Sequence, residues 1–193
     1  MGVDFTCDEK SIGFSYGGWH NVRCTILEAT LAYLDQRFAE ILAKPVKEEE
    51  SDWETMHIQS AAKNLQKHIN EIRENANKKK QTKPGSLFEI GIREHNHILD
   101  CFINTIWENY FIDLLIEFGV GGIYALCNKS DCEGFYSVGN SYDIHELLTT
   151  IRPFLLKNTE NLESGDNWLY DAAGDLIDMF QESIEKKKIV MIH

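Results

Sequence analysis

The residue pattern predicts an α+β domain, a small and mainly antiparallel sheet packed against about five helices. Three observations lead there. Apolar residues alternate at the start of the chain, helical periodicity dominates the middle, and a short β-branched run, Ile189-Val190-Met191-Ile192, closes it. Strands at both ends with helices gathered between them exclude a doubly wound parallel sheet.

Taken in order, Val3, Phe5 and Cys7 face one way against Asp4 and Thr6, and Ile12, Phe14 and Tyr16 alternate with Ser11, Gly13 and Ser15. With the polar Asp8-Glu9-Lys10 turn this reads as a hairpin with one apolar face. After Gly17-Gly18, the spacing of Val22, Ile26, Leu27, Leu31, Leu34, Phe38, Ile41 and Leu42 predicts a helix from Trp19 to Lys44, ended by Pro45. Ser51 and Glu54 form a capping-box pattern for a second helix, carried by Met56, Ala61, Leu65, Ile69 and Ile72. It is expected to dissolve near Asn75 into a flexible basic loop over 75–86.

His97–Phe118 is apolar nearly all round and is expected to be the central buried helix, with Trp107 and Phe111 in the core. Its recurring Asp, Asn and Glu residues argue against a membrane span. The Gly119–Val138 stretch reads as two short strands around a polar turn, a central hairpin. Ser141 then caps a helix through Ile144, Leu147, Leu148 and Ile151, which Pro153 kinks or ends. A last helix, capped by Asp166, buries Leu169, Ala172, Ala173, Leu176, Ile177, Phe180 and Ile184 before Lys186-Lys187-Lys188 and the terminal strand. One domain over 1–193 is expected.

Charge narrows the function classes. Nineteen basic against thirty-one acidic residues leave a formal charge of −12, which opposes the phosphate neutralisation on which nucleic-acid binding depends. It favours a basic protein partner. The five scattered cysteines, an odd number, fit reduced thiols, and the start carries no basic region followed by an apolar run. A cytoplasmic protein off the membrane is expected; a homodimer stays open.

The chemistry-bearing candidates cluster in the turn of the central hairpin, where Lys129, Asp131, Cys132, Glu133 and the ring of Tyr136 are expected to form a partner-binding patch. A rival arrangement joins the 17–23 and 127–134 segments, with Trp19, His20, Arg23 and Cys132 as the ligand site of a small hydrolase or ligand-binding enzyme. Two features weaken it: Asp131 and Glu133 would raise the Cys132 pKa, and the Gly17-Gly18 junction lacks the lysine and glycine spacing of a phosphate loop. Cys127 and Cys132 with His20, His95, His97 or His145 have no second pair at ligand spacing, so neither metal nor cofactor is expected.

Met1-Gly2-Val3-Asp4-Phe5, Tyr16-Gly17-Gly18-Trp19-His20, and Asp175-Leu176-Ile177-Asp178-Met179-Phe180 running to Ile189-Val190-Met191-Ile192 together resemble small immunity proteins of bacterial polymorphic toxin systems. The resemblance leaves the long middle helices and Ser130-Asp131-Cys132-Glu133-Gly134 uncovered. It implies a cytoplasmic, non-catalytic protein that occludes a basic toxin domain such as a nuclease.

Overall fold

The computed structural model describes residues 2–45, 53–80, 102–104, 111–127, 134–159 and 168–193. Its strands are β1 (Gly2–Cys7), β2 (Lys10–Ser15), β3 (Gly134–Tyr136) and β4 (Val190–Ile192). Its helices of at least six residues are α1 (Tyr16–Leu42), α2 (Trp53–Lys80), α3 (Ile112–Glu117), α4 (Gly122–Cys127), α5 (Val138–Thr159) and α6 (Trp168–Lys186). The strands form one antiparallel sheet in the order β2-β1-β4-β3, with helices packed against it: an α+β fold.

Contacts divide the chain into two compact units, Met1–Thr30 with Gly119–His193, and Leu31–Phe118. The first holds the sheet. Register explains its sidedness, because Phe5 lies opposite Ile12 and Ile192 while Thr6 lies opposite Ser11 and Met191. One face therefore buries Val3, Phe5, Cys7, Val190, Ile192 and Tyr136 on the helices, and Asp4 and Met191 stay exposed on the other. The chain's last strand thus sits between β1 and β3. Beyond β4, Asp4 N–H donates to the His193 carbonyl at 3.1 Å and His193 N–H returns a bond to Asp4 at 2.9 Å.

The tight β1–β2 turn places Asp8 at φ 54°, beside the end of α6. There its carboxylate accepts from Lys186, at 2.9 Å, and from Lys188. Lys186 also bridges Glu182 at 2.8 Å, and Lys10 reaches the same carboxylate at 3.4 Å. These contacts hold the Asp8 carboxyl down at about 2, Lys188 first and Lys186 next, and raise Lys186 above its ordinary value through Glu182 and then Asp8.

In the second unit the later turns of α1 bury Leu31, Leu34, Phe38 and Ile41, while α2 buries Ala62, Leu65 and Ile69. Arg73 grips Asp35 with both terminal nitrogens, at 3.1 and 2.8 Å. The Gln59 amide donates to the carbonyls of Ile41 and Lys44, at 3.1 and 2.9 Å, at the end of α1, where the Ile41 carbonyl also accepts from Lys44 N–H at 3.2 Å. Phe102, Phe111, Leu114, Leu115 and Phe118 are buried, and the Tyr33 hydroxyl donates to the Phe118 carbonyl at 2.9 Å.

Several expectations are corrected. Among the described residues there is no central hairpin, because the stretch expected to hold its first strand is helical over Gly122–Cys127 and β3 pairs with β4. Val120, Ile123, Leu126 and Cys127 are all buried, and steps of three and four residues suit a helix face. Gly119, at φ 71°, turns the chain between α3 and α4. The basic run at 75–80 continues α2 in place of a loop, in keeping with the good helix propensity of alanine and lysine; 81–86 lie outside the described residues. Ser141 is not a cap. The cap is Ser137, whose hydroxyl accepts from Asn140 N–H at 3.1 Å while the Asn140 side chain accepts from Ser137 N–H at 3.3 Å. Helix α5 runs on through Pro153 to Thr159. Trp107 and the proposed cap Asp166 lie outside the described residues, as do 97–101 and 105–110 of the expected central helix.

Candidate functional site

Lys129, Asp131, Cys132 and Glu133 lie outside the described residues. Tyr136, expected to present its ring to a partner, is instead fully buried. It follows Phe135 on a strand of period two, and Phe135, opposite Met191, takes the outward position with about half its surface exposed. The Tyr136 ring stacks on Phe5 with centroids 6.4 Å apart and meets Phe180 edge-on at 5.5 Å. Its hydroxyl donates to the Leu126 carbonyl at 3.5 Å.

Trp19, His20 and Arg23 do come together, but as core. They are 3, 3 and 5% exposed. Trp19 packs on Phe5 and Phe14 at 4.6 and 5.6 Å, the Arg23 guanidinium lies 5.6 Å from the Trp19 ring, and His20 Nε2 sits 3.5 Å from Cys24 Sγ. Burial, with Glu28 adding to it, pushes the Cys24 thiol up to about 12, the opposite of what a nucleophile needs. The Ser15 hydroxyl accepts the Gly18 N–H at 3.0 Å, so an N–H that an anion would use at the start of α1 is already engaged. Among the described residues no group of three or more His, Cys, Asp or Glu side chains could hold a metal ion.

A concavity lined by polar side chains lies on α5. Ser141, Ile144, Leu147, Leu148, Ile151 and Leu155 bury its inner face. Tyr142, Asp143, Glu146 and Thr149 consequently point outward at i, i+1, i+4 and i+7. With His145 and Thr150 they line an open cleft of about 420 Å³. Tyr142 is 56% exposed. The backbone beneath the cleft is closely packed, since a Cβ on Gly122 would stand 2.2 Å from the Asp143 carbonyl oxygen. Gly119 supports the wall, its missing Cβ lying 3.3 Å from Thr150 Oγ1 and 3.7 Å from the Glu146 side chain.

Partial burial raises the Asp143 carboxyl above its ordinary value, and no cation among the described residues offsets it. The cleft therefore offers two carboxylates, hydroxyl acceptors and one exposed ring, a set suited to holding a cationic side chain. It presents neither an activated nucleophile nor a nest of N–H donors. The signal lies in the sequence as the polar stripe of α5, but a cap at Ser141 makes Tyr142 and Asp143 the first turn of the helix and hides it.

No protein-family model, curated protein or solved structure matches the chain. Among the described residues no helix is long and apolar enough to cross a membrane.

Proposed function

We propose that this chain is a non-catalytic inhibitor of the immunity type, a cytoplasmic protein that binds a basic toxin domain one to one and neutralises it by occlusion. The observation that carries the reading is the α5 cleft, where Asp143 and Glu146 stand beside the exposed Tyr142 ring on a protein of net charge −12. Acidic fields raise association rates with basic surfaces and reject acidic competitors. An exposed tyrosine adds contact area with little conformational entropy to lose. Burial of Trp19, His20 and Arg23 in the core favours binding over the hydrolase alternative, which needs those groups open to a ligand.

Co-expression with the product of the neighbouring gene tests the reading. A stable complex of one copy of each chain, with association slowed by salt, is the expected result. A neighbouring product that is acidic, or that never forms a complex, refutes it.

A further inference from the structure

The geometry of the α5 face points to an arginine side chain as its occupant: we propose that a partner arginine lays its guanidinium plane against the Tyr142 ring and donates to the Asp143 and Glu146 carboxylates. This rests on the binding reading above and names the chemistry of its contact.

The helix supplies the arrangement. Tyr142 and Glu146 are four apart and Asp143 and Glu146 three apart, and residues at these spacings are neighbours on a helical surface. The ring thus flanks two carboxylates on one face. All three side chains are exposed, and neither carboxylate forms an ion pair within the described residues. Elsewhere in the same unit, Asp8 and Glu182 are matched by Lys10, Lys186 and Lys188, whereas the two acids of this cleft stand beside an aromatic ring with no ion pair among the described residues.

Charge complementarity fixes the sign of the occupant, and a second copy of a chain carrying −12 is disfavoured by repulsion. Arginine fits better than lysine because its planar fork can donate to two acceptors while stacking on a ring, whereas the ammonium is a compact and strongly hydrated point charge. The open mouth and the volume of about 420 Å³ admit the side chain from solvent without movement of the backbone. The acids are presented from a helix whose backbone packs closely on Gly122, so a partner meets them on a regular element and not on a loop.

Fluorescently labelled octa-arginine and octa-lysine peptides, titrated into the full chain at low ionic strength, test the assignment. The double variant Asp143→Asn/Glu146→Gln is expected to weaken octa-arginine binding by about tenfold, as loss of charge-assisted bonds should. Tyr142→Ala should weaken it by about threefold through the lost ring contact while leaving octa-lysine nearly unchanged. Asp175→Asn/Asp178→Asn, on the exposed acidic face of α6, removes the same charge and serves as the control. All these positions are exposed, and thermal unfolding verifies that each variant folds.

Equal losses in the cleft and control variants would reduce the effect to net charge and overturn the proposal. So would insensitivity to Tyr142→Ala, or octa-lysine binding with the same affinity and the same losses. A cognate partner that still co-purifies one to one with the cleft double variant at unchanged affinity would sink this site and leave the inhibitor reading standing. Octa-arginine captured at the cleft by a chain that forms no stoichiometric complex would support the site and remove the inhibitor reading.

Discussion

Ser141 Oγ lies 2.7 Å from Ser183 Oγ, joining α5 to α6 across 42 residues of chain. Ser183 Oγ also lies 2.5 Å from the Lys188 carbonyl and Ser141 Oγ 3.1 Å from the Ser137 carbonyl, so two hydroxyl protons serve three contacts and either serine can be the donor between them. The relay ties the helix that carries the cleft to the segment leading into β4. Both serines are fully buried. Ser183→Ala removes the hydroxyl's contacts with Ser141 and with the Lys188 carbonyl, and urea unfolding should register a loss of about 1–3 kcal/mol. A loss under about 0.5 kcal/mol would show that the relay contributes nothing beyond packing.

Tyr136 is a core residue. Tyr136→Ala is expected to cost ~3–5 kcal/mol in chemical denaturation, as large aromatic truncations in cores do. Tyr136→Phe keeps the ring and removes the hydroxyl with its long 3.5 Å bond to Leu126, and should cost under about 1 kcal/mol. A near-neutral Tyr136→Ala would place the ring outside the core.

What was legible in the sequence follows from how periodicity encodes burial. The β1–β2 hairpin, the long α1, the closing strand β4 and the core face of α6 each repeat their signal over several residues, and each is present in the structure. The error at Gly122–Cys127 has a definite origin, since Ile123, Tyr124 and Leu126 suit a strand as well as a helix over so short a run. Tyr136 was misplaced because a strand of three residues carries too little alternation to show which side is inward; its pairing with Val190 decides that. The α5 cleft depends on the approach of the Gly119–Gly122 turn to Asp143, Glu146 and Thr150, a tertiary fact that no local pattern announces.

The Asp8 cluster makes a pH prediction with a definite sign. The folded carboxyl titrates at about 2 against an ordinary 3.8, so its contribution is fully present above pH 3.8 and is lost as pH falls through about 2. Lys186 acts in the opposite sense. Its raised value adds stability that is present below 10.5 and fades as pH rises through the folded pKa. Asp8→Asn tolerates the φ of 54° and removes the charge alone. Unfolding curves of variant and parent should differ above pH 3.8 and converge near pH 2; a constant gap across that window would mean that the ion pairs do not set the difference.

Gly122 has a steric reason. Gly122→Ala would place its Cβ 2.2 Å from the Asp143 carbonyl oxygen and 2.7 Å from the Ile144 nitrogen, and backbone cannot swing aside as a side-chain tip does. Thermal or urea unfolding should reveal a loss of at least ~1–3 kcal/mol, the scale of overpacking strain. Gly174, with nothing within 4 Å of its Cβ position and a place in the middle of α6, is the matched control. Gly174→Ala should stabilise by about 0.5–1 kcal/mol through helix propensity. Equal effects at the two glycines would remove the steric explanation.

Inhibition by binding and removal by turnover separate most directly in a stoichiometric titration. The toxic activity of the neighbouring gene's product would be measured against increasing amounts of the purified chain, at concentrations well above the dissociation constant. Occlusion predicts a linear fall that reaches zero at about one equivalent, with activity recovered when the complex is dissociated. Complete loss at a small fraction of an equivalent would mean catalysis, full activity in the presence of excess chain would mean no inhibition, and either contradicts the assignment.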